Sequence, residues 1–344
     1  MKLEQLRLDD VDWDALDRFP DRVIFQTREW LEFVSRTQAA EPVLAAVRDG
    51  GRTVGYFTGL VTRRYGIRIL GSPFPGWGTG SMGFNLEPGI RRREAARPLA
   101  EFAFDRLGCL HLELKDRCLR VNDLAGLAFD MTPKVTFELD LTVDEDTLFA
   151  RMKSSCRRAI RKSIKEGVIV EQAYGVEFAD EYYAQLVEVF GKQSLRPTYD
   201  VSLVRELIRT LEPTGRLLLV RARAPDGRPI ASGITLAHNG VAYMWGSASW
   251  RSGQILRPNE AIMWYEARYW KARGIGVYDL GGGEYKRKFG PRELTVPFFR
   301  KSRFAGIMLM REGARQIARV RQRTLRSRRA VRSLAGRSAS GADR

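Results

Sequence analysis

Short apolar runs parted by glycine turns mark two stretches of the chain. In the first, Val43–Arg48, Thr53–Thr62 and Ile67–Leu70 are separated by Asp49-Gly50-Gly51 and Tyr65-Gly66. Asp-Gly between apolar runs is a hairpin signal, so the pattern predicts a three-strand meander. In the second, Leu217–Arg223, Pro229–Ala237 and Val241–Trp245 are separated by Asp226-Gly227 and Asn239-Gly240. Each meander closes on Gly-Ser, at Gly71-Ser72 and Gly246-Ser247. A helix-period segment follows each, Arg93–Leu107 and Pro258–Arg273, and then a strand, Cys109–Leu114 and Gly276–Leu280. Two helices are expected ahead of each meander. In the first half they fall in residues 1–40, where Thr27 is a candidate N-cap for the segment around Trp30. The same order twice over predicts an internal duplication.

Between the two series, Lys134–Leu141 alternates like a strand. A helix is then expected from Met152 to Gly167, where Lys153, Arg157 and Arg161 recur every four residues and share one stripe. Ile160 and Ile164 lie on another stripe, and Gly167 reads as the stop. The helix from Pro258 carries Trp264, Tyr265, Tyr269 and Trp270. That aromatic face is too broad for one-sided packing, so it is expected to sit between a sheet and a neighbouring element.

Composition refines this picture. A chain of 344 residues suggests two domains, here 1–135 and 136–303, with a basic tail over 304–344. The two histidines, His111 and His238, leave little room for histidine-based catalysis, and no metal site is expected. Cys109, Cys118 and Cys156 are odd in number and lack paired spacing, which suits reduced thiols. The acidic start and the short apolar runs predict a cytoplasmic chain without a membrane span.

The net charge is +17, of which residues 311–344 carry +9 and the remainder +8. A phosphate-bearing or polyanionic partner is therefore expected, and tRNA or another nucleic acid is a candidate for the basic helix stripe. Apolar residues interleave with arginine from Phe304 to Leu334. Such a tail suits peripheral contact with an anionic membrane, and a disordered basic extension is its plainer reading.

Two glycine-rich stretches are candidates for chemistry. Gly78-x-Gly80-x-x-Gly83 has the form of a dinucleotide fingerprint, but it follows an antiparallel meander rather than opening a βαβ unit, so it is discounted. The second stretch is Tyr278–Gly290, YDLGGGEYKRKFG. Gly281, Gly282 and Gly283 bare the backbone, and Lys286, Arg287 and Lys288 set positive charge beside it. This arrangement suits an anion, or charge developing in a transition state. A solvated basic turn is the alternative.

The order helix–helix–meander–helix–strand, twice over, resembles that of tandem acetyltransferase-like (GNAT) domains. KSSCRRAIRKSIKEGVIVE, LRPNEAIMWYEARYWKARGI and YDLGGGEYKRKFG resemble Fem-type (FemAB) peptidoglycan aminoacyltransferases and the related BioF-two-like acetyltransferase domains. The resemblance implies an α/β (α+β) fold of two tandem GNAT-like domains, each a mixed, mostly antiparallel sheet flanked by helices. It implies an N-acyltransferase acting on an amine acceptor, a peptidoglycan or polysaccharide precursor of the cell envelope. The donor would be an aminoacyl-tRNA or an acyl-CoA, with no tightly bound cofactor.

By the same resemblance, Lys286 would stabilise the tetrahedral intermediate, with Lys288 as its fallback. Asp279 would accept the amine proton, or else act as a structural cap. Lys153, Arg157 and Arg161 would face phosphates, and Ser247, Asn259, Gly281 and Gly282 would line the pocket. One departure bears on the donor. The loop Ala248–Pro258, ASWRSGQILRP, lacks the glycine signature with which GNAT domains hold the coenzyme A pyrophosphate. This points to a Fem-like donor or an altered coenzyme A site. A nucleic-acid-binding module and a non-catalytic relative that binds envelope precursors are the alternative functions.

Overall fold

A computed structural model describes residues 1–306, Tyr65 and Gln193 excepted. Most of the basic tail, with its expected membrane contact, lies outside the described residues. The first half runs β1 (Lys2–Leu6), α1 (Trp13–Asp17), α2 (Arg28–Gln38), β2 (Glu41–Asp49), β3 (Arg52–Arg64), β4 (Ile67–Ser72) and β5 (Gly83–Leu86). It continues with α3 (Arg92–Ala96), α4 (Leu99–Glu101) and β6 (His111–Leu114). The second half runs β7 (Asp130–Asp140), α5 (Glu145–Arg151), α6 (Ser154–Lys165), β8 (Ile169–Ala173), α7 (Phe178–Gly191) and α8 (Val201–Leu211). It ends with β9 (Leu217–Arg223), β10 (Pro229–His238), β11 (Val241–Ser249), α9 (Pro258–Lys271), β12 (Val277–Asp279) and β13 (Arg292–Ser302).

The strands form one sheet in the order β1-β2-β3-β4-β6-β13-β7-β12-β11-β10-β9-β8, with β5 attached to β3. Each half repeats the same layout. A meander of antiparallel strands ends in a parallel pair, β4 with β6 and β11 with β12. The fold is thus mixed α/β and mostly antiparallel, with helices on both faces. The last strand joins the halves, since β13 pairs with β6 at Phe299–Ser302 and with β7 from Arg292 to Arg300.

Local chemistry explains the helices. Thr27 caps α2 by accepting a hydrogen bond from the Trp30 amide at 3.4 Å, and Asp144 caps α5 through the Thr147 amide at 2.8 Å. Val204, Leu207, Ile208 and Leu211 make the buried stripe of α8. That stripe meets Trp30, Phe33 and Val34 of α2 in a core shared by both halves. Burial of such side chains contributes roughly 1.5–3 kcal/mol each.

Several expectations need correction. Residues 1–40 hold a strand as well as helices. β1 has only one neighbour and needs no apolar alternation, so it left no periodic signal. The helix expected at Arg93–Leu107 breaks at Arg97-Pro98 and finishes in a π-type turn. The helix expected from Met152 starts at Ser154, because α5 ends beforehand and Lys153 stands extended at the N-cap position. β11 extends past Trp245 to Ser249. The aromatic helix does pack on both sides, against the sheet and against α6. Among the described residues, no helix is long and apolar enough to cross a membrane.

Candidate active site

The site forms where β11 and β12 part. They pair in parallel at Val241–Val277, Ala242–Tyr278 and Tyr243–Asp279, and the pairing then stops. β11 continues through a bulge at Trp245, where the register with β10 slips between Ile234 and Thr235. β12 instead turns away through the three glycines. Gly281 stands at φ 70°, a left-handed conformation that favours glycine, and a Cβ there would lie 3.5 Å from the Lys286 Nζ. The two strands diverge from here as a wedge.

Alternation along β12 assigns the residues to the two faces of the sheet. Tyr278 points toward α9, where its hydroxyl donates to Glu266 Oε2 at 2.7 Å. Asp279 points to the opposite face, into the cleft between the halves. It accepts hydrogen bonds from the Thr136 hydroxyl and, at 2.7 Å, from the Gly281 amide. The Arg117 guanidinium is 4.0 Å from its Oδ2.

Lys286 sits between these faces, only 7% exposed, and its Nζ donates to the Leu280 carbonyl. The ammonium has three donors, so two protons remain for a ligand. Burial lowers the Lys286 pKa to about 8, against the opposing pull of Asp279 and Glu266. Burial likewise raises Glu266 to about 8, so this carboxyl is mostly protonated at neutral pH. Asp279 is also raised above the usual carboxylate value, chiefly by burial, which makes it a better base.

The other expected residues fall at varying distances from this point. Asn259 opens α9 and donates to the Ser249 hydroxyl at 3.2 Å, near the mouth of the wedge. Its own side-chain oxygen is buried without a partner. Ser247 is exposed on β11, and Gly282 is exposed in the turn. Lys288 is committed to an ion pair with Glu260 at 2.7 Å. Lys153 joins the site through its backbone, its amide donating to the Lys288 carbonyl at 2.9 Å. The Arg157 guanidinium donates to the Ala150 carbonyl at 2.8 Å, and Arg161 lies 5.3 Å over the Phe149 ring. The α6 stripe is therefore a face beside the site rather than part of the wedge.

Sequence reasoning missed Glu266, Lys115, Arg117, Glu138 and Tyr243. Glu138 lies on β7, fully buried, and accepts from Arg117 and from Arg292 at 2.8 Å. Lys115 and Arg117 follow β6 and reach the cleft from the first half. A lone acid on the apolar face of the aromatic helix was the available signal for Glu266. The two cations carried no local signal, because only the sheet order brings them beside Asp279.

The Gly78-x-Gly80-x-x-Gly83 loop covers the same cleft. It leads into strand β5 rather than a helix, so it is no dinucleotide turn. A Cβ on Gly78 would stand 2.6 Å from the Trp245 indole nitrogen. Two surface hollows lie elsewhere. One of about 450 Å³ surrounds Leu8 and Arg28, and one of about 530 Å³ surrounds Asp140 and Arg292. Neither is lined by Lys286 or Asp279.

Residues 150–288 match the family described as acetyltransferase (GNAT) domain. No curated protein sequence matches the chain. Among solved structures, that of FemX is similar at a TM-score of 0.70 and 14% identity, covering 86% of this chain and 96% of the other. A tandem GNAT protein from the clavulanic acid biosynthesis pathway is similar at 0.53 and 14%, covering 88% and 98%. The C-terminal domain of a putative lysylphosphatidylglycerol synthetase from Agrobacterium fabrum is similar at 0.50 and 10%, covering 74% and 84%.

Proposed function

We propose that this chain, a GNAT acyltransferase with the two-unit fold of FemX, moves an acyl group from a coenzyme A thioester to the amine of a cell-envelope precursor. The observation that carries the reading is the buried Lys286 ammonium at the parting of β11 and β12, with a base on the cleft side. The thioester enters from the α9 side, with its phosphates toward the start of that helix, where backbone N–H groups are unpaired. Asn259 and the α6 cations Lys153, Arg157 and Arg161 border that approach. The amine enters from the cleft between the halves.

The amine nitrogen attacks the thioester carbonyl carbon, a C–N bond forms, and the carbonyl π electrons move to oxygen. Lys286 donates to that oxygen. Asp279 takes the proton released by the nitrogen. Collapse restores the carbonyl and breaks the C–S bond, and the thiolate leaves to be protonated from solvent. No histidine or metal enters these steps.

On the proposed division, residues 1–135 form one wall of the acceptor cleft and residues 136–303 carry the chemistry. The acceptor class follows from the Fem-type resemblance, and so does a cytoplasmic location at the inner face of the membrane, with the basic tail against anionic lipid. The test is thiol release from a set of acyl-CoA esters with amine-bearing envelope precursors. Lys286→Met is expected to lower kcat by about 100-fold or more with the fold intact. Retention of full activity would remove Lys286 from the mechanism.

A further inference from the structure

Within the apolar face of α9, Glu266 is only 1% exposed, with Ile262, Met263, Ala267 and Trp270 buried around it on the same helix. An acid there is costly unless its oxygens find partners. The fold makes room for this one. On β10, a Cβ on Gly233 would stand 2.2 Å from Glu266 Oε1 and 2.9 Å from Ile262 Cγ2, so the carboxyl lies against the bare backbone of that strand. Its other oxygen, Oε2, accepts from the hydroxyl of the fully buried Tyr278 at 2.7 Å. One turn further along α9, the Trp270 indole donates to the Thr235 hydroxyl at 2.8 Å, so the helix is tied to β10 independently of Glu266. What Glu266 adds is a tie from α9 to β12.

That strand is short and has one open side. It holds three residues, and its pairing with β11 ends at Tyr243–Asp279. Beyond that point its backbone ladder is with β7 alone, through the Leu280 amide on the Phe137 carbonyl at 2.8 Å and the Phe137 amide on the Gly281 carbonyl at 3.3 Å. Three glycines follow, and such a turn fixes no position of its own. Yet the carbonyl of Leu280, two residues past Tyr278, is the acceptor that holds the Lys286 ammonium. A bond from α9 to Tyr278 therefore reaches Lys286 through a short length of backbone. Burial dominates the protonation of both Glu266 and Lys286, and each then draws the other toward its charged form.

We propose that Glu266 and Tyr278 form a positioning pair, whose hydrogen bond holds the end of β12 at the depth where the Leu280 carbonyl meets the Lys286 ammonium. The pair acts on the reaction through Lys286 and touches neither substrate. The proposal rests on the acyl-transfer reading for the role of Lys286. Glu266→Leu together with Tyr278→Phe would fill the same core, so burial alone does not call for the pair. What the bond adds is a fixed distance. An ammonium displaced by about 1 Å from the developing oxyanion loses much of its effect.

Two measurements on the full chain test this. The first needs no substrate. Acetic anhydride at neutral pH acetylates uncharged amines, and peptide mass spectrometry reads the rate at Lys286 against Lys162, which is exposed on α6. Tyr278→Phe and Glu266→Leu are each expected to speed labelling of Lys286 about threefold to tenfold, the worth of one hydrogen bond, with Lys162 unchanged. Glu266→Gln keeps an acceptor for the Tyr278 hydroxyl and should return the rate to near the parent's. The second measurement is kinetic. Tyr278→Phe should lower kcat about tenfold or more and leave the thioester KM within about twofold, and Glu266→Gln should recover most of the loss seen in Glu266→Leu. Combined with Lys286→Met, either change should cost less than about twofold further, because the residue it acts through is gone. Tyr278→Phe keeps the ring and its packing, so a thermal melt should show it folded even if Glu266→Leu is not.

Unchanged labelling in Tyr278→Phe, a Glu266→Gln protein as altered as Glu266→Leu, or an equal loss of kcat with and without Lys286 would each overturn the proposal. The last of these is what a merely structural role predicts. Failure of every acyl-CoA ester to release thiol would instead sink the acyl-transfer reading, and the labelling rates would then decide the positioning pair by themselves.

Discussion

Both halves bring a parallel strand pair to the end of a meander, and they finish it in opposite ways. In the first half β4 and β6 stay paired to the last residue, through Ser72–Leu114, and the Lys115 amide extends the ladder to the Ser72 carbonyl. The Phe74 ring then folds over Gly71, where a Cβ would stand 2.4 Å from it. Asp116 closes the turn by accepting from the Phe84 and Cys118 amides at 2.9 and 2.8 Å, with Arg92 and Asp21 completing a buried network. In the second half the ladder stops after three pairs, and glycines with a buried lysine take the place of that network. One duplicated layout thus gives a sealed copy and an open copy. In the sealed copy two backbone amides and Arg92 hold Asp116, while the open copy keeps a buried ammonium, Lys286, at its turn.

The largest expected effect separates the copies at their corresponding turns. Lys286→Met should lower activity by about 100- to 1,000-fold and also stabilise the protein. A lysine whose folded pKa lies below its unfolded value of 10.5 costs stability while it is charged. The gain, about 3 kcal/mol, is therefore fullest below pH 8 and fades as pH rises toward 10.5. Denaturant melts at pH 6.5 and about pH 10.5 would show it; a destabilised variant would contradict the burial argument.

Next in size is the sealed copy. Asp116→Asn should cost about 3 kcal/mol in a urea melt, because Arg92 loses a buried partner, while the kcat of the folded protein stays unchanged. A large fall in kcat with stability preserved would mean that the first half takes part in the chemistry.

The pH profile sharpens the comparison further. The rate should climb as Asp279 loses its proton, and fall about tenfold per unit once pH passes about 8 and Lys286 loses its charge. A flat profile through pH 9 would argue against a charged Lys286. The smallest effect lies where the copies touch. Gly78 stands at φ 70° against the Trp245 indole, so Gly78→Ala should cost about 1 kcal/mol and raise the acceptor KM severalfold. An unchanged KM would place the acceptor away from that loop.

Much of this layout was legible because it is local. Asp226-Gly227 and Asn239-Gly240 announce their hairpins, and Thr27 announces the start of α2. The turn around Lys286 stood out because glycines and cations meet there. What stayed hidden depends on strands far apart in sequence. β13 carries Pro297, which reads as a strand breaker. In the sheet it faces Pro133, so neither proline withholds an amide from its opposite number. Lys115, Arg117 and Glu138 surround Asp279 only once β6, β13 and β7 lie side by side. The burial that tunes Lys286 and Glu266 is likewise a property of packing and not of spacing.

The position of β13 also sets how the molecule can come into being. The ribosome releases β6 and β7 long before Arg292, and until then each offers an unsatisfied strand edge. The strand that fills this gap is made after every catalytic group. The two units are accordingly expected to gain their full stability in a single late step and to melt in one transition rather than two. A fragment ending at residue 288 would hold the whole acetyltransferase match and still lack the strand that seals those edges.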